Sequence, residues 1–292
     1  MNVALKLAGR NIRVFLRDKT SVFFSFLSVI IIILLYVLFL GDTMVSSIKQ
    51  HIADPNLARF FTDTWIMAGV LVANAVTTTL GAMEVIVNDE DKGVSRDFMV
   101  APVKRWQIVA GYILSAWVIG IFIGTLIFII SQAYIVMRGG ELISLVNAAK
   151  VMGLVILNVL AFSSFNFLVV SFFKTNASFS TFSTLVGTMI GFVTGVYVPV
   201  GVLPKFIQQL MLLVPPTHGA SLMRQFYMER AIDKVFAGAP PDILSEFLRI
   251  YGVTLHLNGK QMEVPVMVLV IAVSGILFFA LSVLRLMTKK SA

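Results

Sequence analysis

Six long apolar stretches, at about 22–40, 65–87, 107–136, 151–173, 179–198 and 264–286, constrain this chain more than any other feature. Each approaches the roughly 20 residues a helix needs to cross a hydrocarbon core about 30 Å thick. With 58% of its residues apolar, the chain lacks the polar surface a water-soluble fold requires. Lipid offers no partner for backbone groups, so each stretch must satisfy its own, and none alternates as a barrel strand would. The predicted fold class is therefore an all-α polytopic membrane protein with six transmembrane helices. The first stretch is too long and too far from the N-terminus for a cleavable signal, and is read as retained.

Charge sets the expected orientation. The segments placed inside carry Lys6, Arg10, Arg13, Arg17, Lys19, Lys92, Arg96, Lys104, Arg105, Lys174, Arg285, Lys289 and Lys290, while the two short outer loops carry Lys49, Arg59, Arg138 and Lys150. By the positive-inside rule both termini face the cytoplasm, and a bacterial plasma membrane is the expected location. The net charge of +8 is spread over membrane flanks rather than gathered on a soluble basic face, so no nucleic acid is expected as a partner.

Several chemistries are excluded. There is no cysteine, hence no disulfide, thiolate nucleophile or cysteine metal site. His51, His218 and His256 form no close-spaced set, and no metal site is expected. No phosphate-binding G-x-x-x-x-G-K-[ST] loop occurs, so ATP must be hydrolysed elsewhere if it drives this protein. No charged residue lies deep in any span apart from Glu84, three residues short of the inner end of the second, and the absence of a midplane ionisable group argues against ion-coupled transport. No paired carboxylates or Ser/His/Asp set can be assembled, so no catalytic residue is predicted.

Three segments stand out between the spans. Residues 1–20 place Lys6, Arg10, Arg13 and Arg17 within about 60° on a helical wheel, with Val3, Leu5, Leu7, Ile12, Val14, Phe15 and Leu16 elsewhere, as in a helix lying in the membrane interface. The turn at 88–106 runs Asp89, Glu90, Asp91, Lys92, Gly93, then Phe98, Pro102 and Arg105. The outer region 199–263 is too long for a connector. Pro204 precedes an apolar piece at 206–214 too short to span, which suggests a re-entrant or interfacial helix. A helix at 217–236 and another starting at Pro240-Pro241-Asp242 and stopping at Gly252 should follow, then a β-hairpin around Asn258-Gly259, with strands at 253–257 and 260–264. Together these form a small outer cap. Residues 21–198 hold helices one to five, and 264–292 the sixth with a cytoplasmic tail.

Within the spans, Ser183, Gly187, Gly191 and Gly195 recur every fourth residue, and Gly120 and Gly124 do so on a smaller scale. Such stripes let helix backbones approach, and helix packing is the expected role. Asn74 and Thr78 in the second span, with Ser180, Thr184 and Thr188 in the fifth, are candidates for lining a pathway, although they can equally satisfy carbonyls of their own helices.

The order of these features resembles the ABC-2 family of ATP-binding-cassette permeases. The residues that carry the likeness are the basic N-terminal helix, Glu90-Asp91-Lys92-Gly93 with Pro102, then Gly195-Val196-Tyr197-Val198-Pro199, Leu203-Pro204, Pro215 and Arg224. The resemblance implies a six-helix permease half that dimerises with a second permease subunit and binds two cytoplasmic ATPase subunits, most often for export. ATP and magnesium would sit on the ATPase, and no cofactor on this chain. It also implies that Asp89, Glu90, Asp91, Lys92 and Gly93, with the helix around Phe98 to Arg105, form a coupling element resting on the ATPase. Three acids precede Lys92 where the family alternates acid, base and acid, and the cap continues past the family's common core. The expected cargo is apolar or amphipathic: a drug, peptide, lipid or lipid-linked glycan. The competing reading is a membrane-embedded sensory or scaffold protein whose outer cap recognises a ligand.

Overall fold

A computed structural model describes residues 3–19, 22–23, 30–31, 34, 36 and 54–288. Numbered in chain order, its principal helices are α1 (Val3–Arg17), α2 (Pro55–Ala82), α3 (Glu84–Asp91), α4 (Val94–Val100), α5 (Arg105–Met137), α6 (Leu145–Val170), α7 (Asn176–Val193), α8 (Lys205–Met211), α9 (Pro215–Tyr227), α10 (Glu229–Val235), α11 (Pro241–Ile250) and α12 (Val264–Thr288). The strands are β1 (His256–Leu257) and β2 (Lys260–Gln261).

Among the described residues, four helices are long and apolar enough to cross a membrane: α2 running on into α3 (Pro55–Asp91), α5, α6 and α12. Most of the stretch expected at 22–40 lies outside the described residues, as do Lys49, His51, Lys289 and Lys290. The stretch expected at 179–198 falls outside the set of four. Its helix, α7, has 18 residues and stops at Val193, so it is about 27 Å long at 1.5 Å per residue. The helix ends there because of Gly195, whose φ of +67° turns the chain back. The amides of Val196 and Tyr197 then both donate to the Gly191 carbonyl, at 2.7 and 3.2 Å.

Helix α2 is the axis of the bundle. Nearly every face of it is buried, against α5, α6, α7 and α9, as expected for a helix that is apolar all round. It starts ten residues before the apolar stretch because Asp54 caps it, accepting the Asn56 amide at 2.8 Å, and Pro55 opens the first turn. The extra turns were hidden by Arg59 and Asp63, which read as a polar flank. Asp63 is in fact buried, receiving the Tyr36 hydroxyl at 2.6 Å with Arg138 Nε 3.8 Å away.

Small and amide side chains knit the other helices to this axis. A Cβ on Gly120 would lie 2.7 Å from Val159, and one on Gly124 2.9 Å from Val155, so that stripe does bring α5 against α6. Gly275 of α12 faces the backbone of Ala161 on α6, 3.0 Å from its Cα. Asn166 donates to the Val76 carbonyl at 3.0 Å and to Thr79 at 2.8 Å, tying α6 to α2. Gly275→Leu is expected to lower stability by about 1–3 kcal/mol, as overpacking does, whereas Gly187→Leu, where a Cβ meets nothing within 4 Å, should leave the fold intact. Thermal unfolding of the two purified variants in detergent checks this, and equal midpoints would contradict it.

The region after α7 folds onto the end of α2. Phe61 and Trp65 of α2 meet Phe247 and Tyr251, with ring centroids 5.2 Å apart for Phe61 and Phe247, and Trp65 Nε1 donates to the Tyr251 carbonyl at 2.7 Å. Lys234 of α10 pairs with Glu141 at 2.5 Å, and Asn147 bonds to Glu229, fixing the connector after α5. The single helix expected at 217–236 is broken at Met228 into α9 and α10. Helix α11 begins at Pro241, and Gly252, at φ +63°, follows it. Asn258 and Gly259 both have positive φ, as a type I′ turn requires, but the ladder they close is two residues long on each side, shorter than the expected strands.

Candidate functional site

The candidate site is the end of the bundle where α1, α3, α4 and α5 meet. Helix α1 packs along α5 through Ala4, Leu7, Ala8, Asn11 and Phe15. Gly111 permits this approach, since a Cβ there would lie 2.8 Å from Leu7. On a wheel at 100° per residue, three stripes separate. One packs on α5, a second carries Lys6, Arg10, Arg13 and Arg17, and a third exposes Leu5 and Leu16. A helix with this division lies in an interface, apolar residues toward acyl chains and cations toward water or phosphate.

Docked this way, α1 presents Arg10 to α3. The guanidinium clasps Asp89 with two hydrogen bonds, at 2.5 and 2.6 Å, and the Tyr112 hydroxyl of α5 donates to the same carboxylate at 2.5 Å. A two-pronged Arg–carboxylate pair is among the strongest protein hydrogen-bond geometries. Bonding to Asp89 also makes Arg10 hold its proton more tightly than an ordinary arginine. The guanidinium sits 6.0 Å from the centre of the Phe98 ring, so one side chain touches α3 and α4 together.

The three consecutive acids of the turn have three different surroundings. Asp89 is only 4% exposed and belongs to the interior. Glu90 is half-buried beside a small cavity of about 50 Å³ that Ser95, Phe98, Tyr112 and Arg285 also line. Asp91 is exposed and accepts from Asn176 Nδ2 at 3.1 Å, which anchors the start of α7. Lys92 is exposed, and Gly93, at φ +77°, turns the chain between α3 and α4. The helix expected around Phe98 to Arg105 is displaced: α4 ends at Val100 because Pro102 holds Ala101 extended. Pro102 is exposed in the break, and Arg105 is the first residue of α5.

The pathway candidates do not share one surface. Asn74 and Thr78 are fully buried, the Thr78 hydroxyl donating to Asn74 Oδ1 at 2.8 Å, and Asn74 Nδ2 has no partner among the described residues. Ser180, Thr184 and Thr188 are exposed on α7, where Thr184 and Thr188 each donate to the carbonyl four residues back, at 2.9 Å. Among the described residues the small stripe on α7 has mixed surroundings. Ser183 is half-buried, Gly187 faces open space, Gly191 is covered by the folded-back Tyr197 ring, and Gly195 lies beyond the helix end.

Sequence reasoning noted Arg224 without its role. It is buried on α9, donates to the carbonyls of Thr194 and Gly195 at 2.8 and 3.0 Å, and lies 4.8 Å from the Trp65 ring centre. It thereby holds the break after α7 against α2. Among the described residues no cluster of His, Cys, Asp and Glu is arranged to hold a metal ion.

The arrangement is that of a membrane permease, with an interfacial helix clasped to a polar turn at one end of a helical bundle. The family profile described as ABC-2 type transporter matches residues 4–228, and the chain belongs to that family. The match takes in α1, the turn at 88–106 and the pinned break at Arg224, and stops before α10, α11, the hairpin and α12. A comparison with curated protein sequences returned no match. The chain is thus a membrane protein and a permease subunit of an ABC-2 type transporter, a component that is not itself catalytic and whose family implies association with ABC ATPase subunits.

Proposed function

We propose that this chain is the translocating half of an ABC-2 exporter, working with a second permease chain, identical or different, and with two cytoplasmic ATPase chains that bind ATP and magnesium. The cargo is an apolar or amphipathic molecule: a drug, peptide, lipid or lipid-linked glycan. The coupling surface is formed by Asp91, Lys92, Gly93 and Pro102, with Glu90, Phe98 and Arg105 behind them and Asp89 holding the unit together.

The observation that carries this reading is the clasp of Arg10 on Asp89. It joins the interfacial helix and the turn into one body, so a push on α4 is transmitted to α1 and α5 rather than absorbed locally. The distribution of Lys and Arg supports a cytoplasmic position for this end. Asn74, Thr78, Ser180, Thr184 and Thr188 remain the polar candidates along the route, and the exposed face of α7, with Gly187 open, is where a second permease chain would lie.

Co-expression with a Walker-type ATPase chain tests the reading. The complex should co-purify with ATP hydrolysis raised by assembly, and Asp91→Ala with Lys92→Ala should weaken it while leaving the permease folded. A permease that binds no ATPase, or a double variant coupling as well as wild type, would overturn the assignment. Orientation is read separately with single cysteines on the native cysteine-free background. A thiol reagent that cannot cross the membrane should label position 258 and spare position 92 in intact cells, and the reverse pattern would invert the topology.

A further inference from the structure

The largest cavity among those described lies at the other end of the bundle, between α8, the tip of the β-hairpin and the start of α12, with a volume of about 1170 Å³. That is slightly above the usual range of small-molecule sites, about 300–1,000 Å³, and the cavity shares no residue with the coupling end. Its walls divide by chemistry. Phe206, Leu210, Leu213, Met262 and Val270 form an apolar side, while Lys205 and Arg249 supply cations. No Asp or Glu lines it among the described residues.

Exposure shows what medium this apolar side meets. Phe206 is 66% exposed and Leu213 78%, and Leu269 and Val273 on the neighbouring face of α12 are exposed too. So many large apolar side chains turned outward on adjoining elements of a membrane protein belong against acyl chains, not water. The cavity therefore opens toward lipid along one side.

The polar side is built rather than incidental. Gln208 fixes the bend before α8 by donating to the carbonyls of Gly201 and Leu203, at 3.2 and 2.8 Å, which holds Lys205 at the rim. Arg249 spends two of its five N–H donors on Glu246, at 2.9 and 2.6 Å, leaving the rest for another acceptor. The Lys205 ammonium has no carboxylate partner among the described residues. His218 is buried in the wall with Nε2 at the Leu212 carbonyl, 2.8 Å away, and among the described residues neither its Nδ1 nor His256 Nδ1 has a hydrogen-bond partner. Burial, and then the charge of Arg249, pushes His256 below its ordinary value. The positive charge at the cavity therefore comes chiefly from Lys205, with Arg249 already paired to Glu246.

We propose that this cavity binds an acidic phospholipid of the surrounding leaflet, its acyl chains against Phe206, Leu210, Leu213, Met262 and Val270 and its phosphate between Lys205 and Arg249. Charge complementarity selects the occupant, since Glu246 already balances Arg249 while Lys205 leaves one net positive charge at a cavity whose described lining holds no acid, which favours a headgroup of net negative charge. The binding needs neither transport nor an ATPase, and so stands or falls apart from the exporter reading.

The test uses the full chain in lipid nanodiscs containing phosphatidylglycerol or phosphatidylcholine with the same photoreactive acyl chain. Phosphatidylglycerol should label peptides covering 203–213 and 257–270 about fivefold more strongly, the preference expected from one well-placed cation near a membrane surface. Lys205→Glu should abolish that preference and Arg249→Gln reduce it. Lys260→Glu, on the exposed hairpin but off the cavity, should keep it. Lys205 is itself exposed, so its replacement does not threaten folding. Equal labelling by the two lipids, or a preference surviving Lys205→Glu, would overturn the proposal. So would a Leu213→Cys variant that crosslinks to a second copy while lipid labelling is absent, since another chain would then cover the cavity.

Discussion

Arg224→Met is expected to destabilise the protein by about 2–4 kcal/mol, among the largest effects of any single substitution in this chain. The guanidinium donates to the carbonyls of Thr194 and Gly195, which follow the last turn of α7, and without it both lose a buried donor. Each unsatisfied buried acceptor costs about 1–3 kcal/mol, and the contact over Trp65 disappears as well. Against this, methionine avoids the desolvation of a buried cation that has no carboxylate beside it, which keeps the net below the simple sum. The carbonyl end of a helix favours a cation, so the balance stays on the side of arginine. Arg224→Lys should fall between, because an ammonium is a point donor and cannot reproduce the planar fork. Thermal unfolding in detergent measures the series, and a methionine variant as stable as wild type would mean that the break after α7 is held by something else.

Arg224 shows where the sequence stopped being legible. A cation in an apolar segment is visible, but its partners are carbonyls about 30 positions earlier, and backbone acceptors leave no trace in side-chain pattern. The spans were legible for the opposite reason, since lipid length and backbone satisfaction act on every residue of a stretch. That logic located α5 and α12 to within two residues and α6 to within six. It misplaced the start of α2, because hydropathy reads Asp63 as water-facing when Tyr36 and Arg138 receive it inside. It overran α7, because Gly195 looks like a packing residue in a small stripe until its φ of +67° is seen.

The turn at 88–106 was legible as an element and not as a set of roles. Three consecutive acids look alike in sequence, yet each lies about 100° further round a helix, so only one of them can face the interior of α3. Asp89 follows Val85 by four residues and shares its buried face, a periodic signal that could have been read. Its partner Arg10 lies 79 positions away, and nothing local connects them. The four cations of α1 likewise form one stripe on a wheel, and the wheel does not tell which of them meets Asp89; in the fold it is Arg10.

Breaking the clasp should release α1. In Asp89→Ala, Arg10 loses both of its strong bonds and Tyr112 loses its acceptor, while the packing of Leu7, Ala8 and Phe15 on α5 remains. Because Arg10 is over a third exposed, water screens part of the loss, and about 2 kcal/mol is expected rather than the larger figure for a fully buried pair. Arg10→Met should cost more, since it strands a carboxylate that is 4% exposed. The double variant Arg10→Met with Asp89→Leu should recover much of that, the non-additivity expected of partners in one network. Ala8→Cys, on the face of α1 that is buried against α5, reports docking directly. Its thiol should react about thirtyfold faster in the Asp89→Ala background, the factor corresponding to about 2 kcal/mol of easier opening, and remain protected with Asp91→Ala or Lys92→Ala. If Asp89→Ala leaves the thiol protected yet abolishes ATPase stimulation, Asp89 acts by contacting the ATPase itself, and its burial in this chain alone is not what it does in the complex.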